Sequence, residues 1–373
     1  MSRGWTYQEA LLSRRRLVFT DEQVYYECHG MYCAEAVSLP LKNLHTQDGQ
    51  HFRAPYCNGT RIGMFPRTGV GNTPWAVVRR IQEYSCRSLT HQSDILNGIL
   101  GILRAFETSE HAIHHYWGVP VASDLRKIVL SGLGLGQPIP WAPAGGFLVG
   151  LSWSVAEPSI RRPEFPSWSW TGWNGRVIWE MQEHSQHVLT VDPELELSIE
   201  ICDGRVLKWD EFLQSYHELN RQSRLTCFIH ITAWTIPIRA LKRTTPRTYR
   251  IYLKISRALG RTTSRIHGIA LEARIDLLDK SYLHWRFALT TSKPLTNQLC
   301  IGVFLHRVVS FSDDFPNVMV VRTMKGRTER VGLGWLSQES AKCYGLDRVE
   351  QDWFKSSLPY AGLPVSRQEL RLG

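Results

Sequence analysis

The sequence lacks the features that mark membrane and secreted proteins. No apolar run reaches the roughly 18 residues that cross a bilayer, and no basic segment followed by an apolar one opens the chain. Its eight cysteines are scattered and include no Cys-x-x-Cys pair. These absences disfavour a membrane protein, a disulfide framework and a zinc ribbon. We expect a cytoplasmic protein with free thiols.

The sequence also lacks the common catalytic signatures. It has no Gly-x-Ser-x-Gly elbow, and the glycine-rich stretch 132–136 does not continue into a phosphate-binding loop. Cys28, His29 and Cys33 match no common zinc spacing. In the stretch 110–115 the glutamate precedes every histidine, unlike the His-Glu-x-x-His motif. We predict no metal and no cofactor, and we favour a protein without catalysis of its own.

What the sequence does contain is a large supply of core-forming side chains and a basic excess. It has 14 Trp, 13 Tyr and 13 Phe, and a formal net charge of +10. The segment from Arg239 to Arg265 has nine basic residues and no acidic one, which suits phosphate binding. However, residues 249–255 alternate apolar and polar side chains, as a half-buried strand does. No nucleic-acid-binding motif accompanies the charge, so nucleic acid is disfavoured as a partner.

The front of the sequence predicts a short helix and a hairpin. Thr6 and Glu9 have the spacing of a capping box, which places a helix after Thr6 up to about Leu12. Two β-prone runs, residues 17–19 and 24–28, flank a polar turn and predict a hairpin.

Helices are also expected in the following segment. Thr73-Pro74 has the pattern of a helix start, and the stretch from Ser93 to Phe106 carries one apolar stripe. Gly98 and Gly101 lie inside that stripe, where each costs about 1 kcal/mol relative to Ala. Close packing against another backbone is the expected reason.

Beyond about residue 185 the pattern becomes that of strands. The predicted strands are residues 188–191, 195–201, 226–236, 249–255, 268–275, 299–311 and 318–322. One helix, residues 209–219, interrupts them. We therefore predict an α+β fold, with a helix-rich N-terminal region followed by a strand-rich C-terminal region.

Three stretches carry a family resemblance. The first is Arg3-Gly4-Trp5-Thr6-Tyr7-Gln8-Glu9, which continues through Phe19-Thr20 to Cys28. The second is residues 94–100 with Trp117-Gly118-Val119-Pro120 downstream, and the third is residues 166–170, with residues 330–334 near the end. The chain resembles the C-terminal part of fungal heterokaryon-incompatibility (HET) domain proteins. The residues that carry the match are Arg3, Gly4, Trp5, Thr6, Gln8, Glu9, Phe19, Thr20, Cys28, Trp168 and Trp170.

The resemblance implies a role in fungal non-self recognition, with growth arrest or cell death as the outcome and other proteins as partners. Together with the residue patterns above, it predicts a division into a HET-domain remnant (residues 1–40), a mainly helical region (41–180) and a strand-rich region (181–373). The two earlier blocks of the family would lie upstream of Arg3. We expect either a truncated coding sequence or a naturally shortened relative.

Two rival functions stay open. HET domains look distantly like Toll/interleukin-receptor domains, some of which cleave NAD, so the chain could belong to an NAD-cleaving or nucleotide-binding enzyme whose active part lies upstream. Glu9 is then a weak catalytic candidate, although the capping box accounts for it without chemistry. The second rival is a basic nucleic-acid-binding module.

Two further expectations concern aromatic residues and the hairpin. Trp168, Trp170 and Trp173 could bind a sugar or a base, but core packing on a short extended segment is favoured. The hairpin should have an unpaired edge that permits self-association. It should expose either Val18, Val24 and Tyr26, or the alternate set Leu17, Phe19 and Tyr25.

Overall fold

The computed structural model of the chain describes sixteen stretches. They are residues 3–28, 32–36, 69–71, 73–109, 112–122, 144–179, 188–190, 194–245, 248–253, 270–276, 282–291, 295, 299–309, 314–324, 326–336 and 366–373. Most of the loop expected at residues 40–72 lies outside them, as do the glycine-rich stretch 132–136, His29 and the pair Glu110 and His111. The contacts divide the chain into two compact units, Met1–His114 and His115–Gly373. The three-region division at residues 40 and 180 stays a prediction.

The first unit combines three helices with a small sheet. Its elements are α1 (Gly4–Leu12), β1 (Arg15–Phe19), β2 (Val24–Cys28), β3 (Tyr32–Ala34), α2 (Pro74–Ser85), two 3₁₀ turns (Gln92–Ile95 and Asn97–Ile99) and α3 (Leu100–Glu107). The sheet order is β1-β2-β3, and both pairs are antiparallel.

The predicted hairpin is confirmed, but the predicted side-chain faces are wrong. Leu17 lies opposite Tyr26, and Phe19 lies opposite Val24. Directly opposed residues of an antiparallel pair share a face. One face therefore combines Leu17 and Phe19 with Val24 and Tyr26, which the sequence prediction had divided between the two faces.

The helix expected to start at Ser93 begins later, because its start is decided by a distant residue. The side-chain Oε1 of Gln8 accepts the Gly101 N–H at 2.7 Å. A helix starting at Ser93 would give that N–H to Asn97 instead. The chain therefore makes two tight turns first, and α3 starts at Leu100. Thr73 caps α2 as predicted, accepting the Ala76 N–H at 3.1 Å.

The second unit is built mainly of strands. They are β4 (Ile113–Tyr116, starting at the unit boundary), β5 (Val119–Ala122), β6 (Trp153–Val155), β7 (Ile160–Arg161), β8 (Trp173–Asn174), β9 (Val177–Trp179), β10 (Val188–Thr190), β11 (Glu196–Ile201), β12 (Val206–Lys208), β13 (Leu225–Thr245), β14 (Thr248–Leu253), β15 (Ala270–Asp276), β16 (Tyr282–Leu289), β17 (Leu299–Val309), β18 (Asp314–Met324), β19 (Arg327–Leu336) and β20 (Ser366–Leu372). In the described residues of this unit two helices accompany them, α4 (Gly145–Gly150) and α5 (Trp209–Arg221).

Five of these strands close into a barrel. The ring runs β13-β17-β18-β19-β20 and returns to β13. All its pairs are antiparallel except β19 with β20, which is parallel. Gly302 is required by tight packing here, because a Cβ on it would lie 2.7 Å from Val318 Cγ1 and 2.9 Å from Ile236 Cγ2.

The structure is a mixed α+β fold, as predicted. The seven predicted strands of the second half and its helix are all present, with shifted ends. Strands β12, β16, β19 and β20 were not predicted. Within the described residues, none of the helices has both the length and the apolar character that a bilayer crossing demands.

Candidate functional site

The motif block at the front of the first unit begins with a close backbone contact. Arg3 precedes the first helical residue in an extended conformation, and Gly4 N donates to the carbonyl of Ser88 at 2.9 Å. A Cβ on Gly4 would lie 2.6 Å from Leu89 Cδ2 and 3.2 Å from the Tyr84 ring. Gly4 is therefore needed because the two segments approach closely.

The predicted capping box of Thr6 and Glu9 is wrong. Helix α1 starts at Gly4, so Thr6 is already its third residue, and its hydroxyl donates back to the Arg3 carbonyl at 2.8 Å. Glu9 is exposed, and its backbone carbonyl accepts from Ser13 N at 3.0 Å and Ser13 Oγ at 2.6 Å. The contact between Gly4 and Ser88 sets the helix start. The surroundings of Glu9 give no support to its catalytic assignment.

Gln8 is the motif residue with the clearest structural role. Gly101 N is one of the four N-terminal amides of α3 that have no partner within the helix, and Gln8 accepts from it at 2.7 Å. The residue preceding α3, Ile99, supplies no side-chain cap. Gln8 thus caps α3 from α1, and a Cβ on Gly101 would lie 2.8 Å from Gln8 Cδ.

Tyr7 joins α1 to α2 through a partly buried hydrogen bond. Its hydroxyl donates to Glu83 Oε2 at 2.6 Å, and Arg87 lies over its ring at 4.4 Å. Burial, reinforced by the bond to Glu83, raises the pKa of Tyr7 above its usual range. The phenol therefore stays protonated at neutral pH and serves as a donor.

Four large apolar side chains of the same block are exposed. Leu17 is 58% exposed and Phe19 is 73% exposed, and Trp5 and Leu12 are also exposed. We call these four residues the N-terminal apolar set. Thr20 closes the hairpin, donating its hydroxyl to the Gln23 carbonyl at 2.8 Å. Cys28 ends β2 opposite Arg15, and its side chain lies outside the described part.

The tryptophan segment of the second unit is buried, as the core interpretation predicts. Trp168, Trp170 and Trp173 are almost wholly inaccessible. Their indole N–H groups donate to the carbonyls of Cys227, Gly118 and Ser167 at 2.8–2.9 Å. The segment is not extended as predicted, since it turns into a 3₁₀ helix at Trp170–Gly172. With rings and donors both occupied, these indoles are not arranged to stack on a sugar or base.

A buried arginine in β19 was not foreseen. Arg330 is 0% exposed, and its guanidinium lies 3.8 Å from the centre of the Trp153 ring. Nη1 donates to the Leu151 carbonyl at 2.6 Å, and Nη2 donates to the Trp153 carbonyl. Among the described residues, Nε has no hydrogen-bond partner and no carboxylate pairs with the group. Loss of hydration lowers the pKa of Arg330 to about 9.

A polar cluster on the outer side of the sheet is the best candidate for acid–base chemistry. Glu200 accepts from Arg371 at 2.7 and 2.8 Å and lies 3.0 Å from His230 Nε2, while Glu369 lies 3.5 Å from His230 Nδ1. The bonds from Arg371 are the main cause that lowers the pKa of Glu200 to about 2. Both ring nitrogens of His230 face carboxylates, so neither is aimed at a substrate. The cluster ties β11, β13 and β20 together.

The sequence marked Arg330 only as the first residue of the stretch 330–334, without a sign that it is buried, and it did not mark this cluster at all. The available signal for Arg330 was weak, because it is the last of three closely spaced charged residues, after Arg327 and Glu329, before the stretch Val331 to Leu333. The cluster had no local signal, because its members come from three separate strands. In the described ranges no group of His, Cys, Asp and Glu is arranged to hold a metal ion.

In comparisons with known proteins, no protein-family profile, curated protein or solved structure matches this chain.

Proposed function

We propose that this chain is a heterokaryon-incompatibility-type protein that works through protein contacts, in fungal non-self recognition or cell-death signalling, without catalysis of its own. The proposal includes a cytoplasmic location. It also includes the finer arrangement of a helix-rich region carrying the end of a HET domain, followed by a strand-rich region. The sequence resemblance in the motif block supports it.

One structural observation carries the proposal of protein contact. The motif block uses its polar groups internally, through Gly4, Thr6 and Gln8. It leaves the N-terminal apolar set at the surface. Exposed large apolar side chains that are concentrated in one segment are typical of protein–protein contact sites. A block that fixes its own backbone and presents apolar side chains suits recognition better than bond chemistry.

The two rivals draw less support from the described residues. An NAD-cleaving enzyme needs a carboxylate held in a cleft beside the substrate, whereas Glu9 is exposed on a helix. A nucleic-acid-binding module would rely on the basic segment from Arg239 to Arg265, whose side chains lie outside the described part of the chain.

The experiment is expression in a fungal host with growth arrest as the readout. The double variant Trp5→Glu/Phe19→Glu places charge within the apolar set and should abolish arrest. The matched control Ile160→Glu/Val206→Glu alters two equally exposed apolar side chains elsewhere and should leave arrest unchanged. All versions should unfold within about 1 kcal/mol of the parent, because exposed positions contribute little to stability.

Two results would count against the proposal. Arrest that survives the Trp5→Glu/Phe19→Glu change would remove the contact role of the apolar set. If the purified chain released nicotinamide from NAD, and the variant Glu9→Gln did not, the chain would be an enzyme and not a binding protein without catalysis.

A further inference from the structure

We infer that β1 is a self-pairing edge, through which two copies of this chain join antiparallel about Leu17. The two sheets would then merge into one of six strands, in the order β3-β2-β1-β1-β2-β3. This inference rests on the proposed role of the N-terminal block as a contact surface, and it names a second copy as the partner.

The first step is the direction of the backbone groups of β1. Thr20 N donates to the Gln23 carbonyl at 3.1 Å, which makes Thr20 and Gln23 a hydrogen-bonded pair. Such pairs alternate along an antiparallel ladder. In this register Val18 and Arg16 bond to β2, whereas the amides and carbonyls of Arg15, Leu17 and Phe19 point away from it.

The bonding between β2 and β3 supports the same assignment. Glu35 N donates to the Val24 carbonyl at 2.9 Å, so Val24 turns its backbone toward β3 and away from Phe19. In the part of the chain that the structure describes, β1 is an end strand of this sheet. Three outward N–H groups and three outward carbonyls therefore lie in a row at its edge.

The second step is the side chains that accompany this edge. Arg15, Leu17 and Phe19 share one face of the sheet, and all three are exposed. A second β1 strand can bond to the outward N–H and C=O groups only in a register that places residues of this set opposite one another. Among antiparallel self-pairings, the one centred on Leu17 opposes all three, and a shift by two residues opposes only two.

The register centred on Leu17 is also chemically self-complementary. Leu17 meets Leu17 of the second copy on the two-fold axis. Arg15 of each copy lies opposite Phe19 of the other, so a guanidinium meets an aromatic ring on both sides of the axis. Each of these three pairs exchanges two backbone hydrogen bonds. A two-fold interface needs this kind of self-complementary patch.

The charges at the two ends of β1 complement each other in the same register. Arg14 lies opposite Thr20 of the second copy, next to the turn residues Asp21 and Glu22 of that copy. All three charged residues are exposed. A basic start and an acidic end on one strand favour antiparallel over parallel self-pairing, because parallel pairing would bring like charges together.

The test measures the mass of the full chain in solution by sedimentation velocity over a series of protein concentrations. The parent should show a reversible monomer–dimer equilibrium. Leu17→Lys opposes two like charges on the axis and should raise the dimer dissociation constant at least about tenfold. Ile160→Lys, a change of the same kind at a position 70% exposed, should leave that constant unchanged.

A cysteine scan checks the register and does not depend on whether the lysine variant folds. In a hydrogen-bonded pair the Cα atoms are about 5.5 Å apart, within disulfide range. Leu17→Cys should therefore crosslink two copies under mild oxidation. Phe19→Cys should not, since the two substituted positions lie four residues apart along the strands, about 13 Å.

A chain that stays monomeric, a dimer that persists in Leu17→Lys, or equal crosslinking of both cysteine variants would overturn the inference. Dimerisation on its own leaves the proposed function untouched. A monomer that still arrests fungal growth would overturn self-pairing alone, whereas a dimer without growth arrest would overturn the signalling role alone.

Discussion

Replacing Arg330 by lysine should destabilise the second unit more than replacing it by methionine, although lysine keeps the charge. The reason lies in how the guanidinium is held. Lowering its pKa from 12.5 to about 9 corresponds to about 5 kcal/mol of lost hydration, since one pKa unit is about 1.4 kcal/mol. Contact with Trp153 and two charge-assisted hydrogen bonds offset this cost.

The offsetting contributions are similar in size. A desolvated cation–π contact contributes about 2 kcal/mol, and each hydrogen bond from a charged donor about 1.5–3 kcal/mol. The net contribution of the Arg330 side chain to the stability of the fold is therefore no larger than about 3 kcal/mol. Methionine removes both the cost and the gains, and its thioether fills the space. Lysine keeps the desolvation cost, because its ammonium group is strongly hydrated in the unfolded chain and buried in the folded one. It also loses the stacking on the Trp153 ring and one of the two hydrogen bonds to carbonyls.

We expect Arg330→Met to lower the free energy of unfolding by no more than about 2 kcal/mol, and Arg330→Lys by about 3–5 kcal/mol. The assay is urea unfolding monitored by tryptophan fluorescence. The surface change Arg205→Lys serves as the control, because Arg205 is exposed and pairs with exposed Asp203. If Arg330→Met proves the more damaging change, the charge itself stabilises the fold and the reasoning fails.

The pH dependence gives a second, independent check on the same residue. A base whose pKa is lowered by folding binds its proton more weakly when folded, so the native chain gains stability as pH rises above about 9. Below that pH the penalty is constant. The difference in unfolding free energy between the parent and Arg330→Met should therefore be constant from pH 6 to 8. Above about pH 9 it should change in favour of the parent, which becomes more stable relative to the variant. A difference that stays flat to pH 11 would mean that the guanidinium is not desolvated.

Two further predictions concern Gln8 and Glu200. Gln8→Met should lower the free energy of unfolding by about 1 kcal/mol, as the loss of a helix cap does. Gln8→Glu should keep the hydrogen bond to Gly101 N and therefore the stability of the parent. Thermal unfolding measures the stability of both variants. Glu200→Gln should be destabilised at pH 7, and its deficit should disappear in acid. The pKa of Glu200 is lowered in the fold to about 2, so its contribution is present above its unfolded pKa near 4.5 and is lost as pH falls toward 2.

Either prediction can fail clearly. Equal stability of Gln8→Met and Gln8→Glu would show that the hydrogen bond to Gly101 contributes nothing. A deficit of Glu200→Gln that persists at pH 2 would mean that the lost interaction is not that of a carboxylate with Arg371.

The success of the sequence predictions follows the range of the interactions involved. Strands β11 and β13 were predictable because buried apolar side chains alternate along them. Strands β17 and β18 were predictable because each contains a short continuous run of buried, mostly apolar residues. Strand β20 was missed because of its seven residues only Leu370 and Leu372 are buried. Pairing with β13 makes it a strand, and a local pattern does not show that pairing.

The motif block shows the same division. Local spacing correctly indicated a helix and a hairpin. It misplaced the helix start, because Thr6 and Glu9 fit a capping pattern that the contact between Gly4 and Ser88 overrides. The role of Gln8 depends on an amide 93 residues away. Contacts at that separation cannot be read from periodicity, so the cap that Gln8 provides could not be derived beforehand.

Closure of the barrel also constrains how the second unit is made. Strand β20 pairs with β13, which precedes it by well over a hundred residues, and fills the gap between β13 and β19. During synthesis β13 leaves the ribosome long before β20 is made. The backbone groups of β13 that finally pair with β20 therefore have no partner in that strand during this time. Such long-range pairing is slow and leaves sheet edges open to aggregation. A stop codon shortly before Ser366 should therefore yield insoluble protein, although it removes only a short, mostly polar strand.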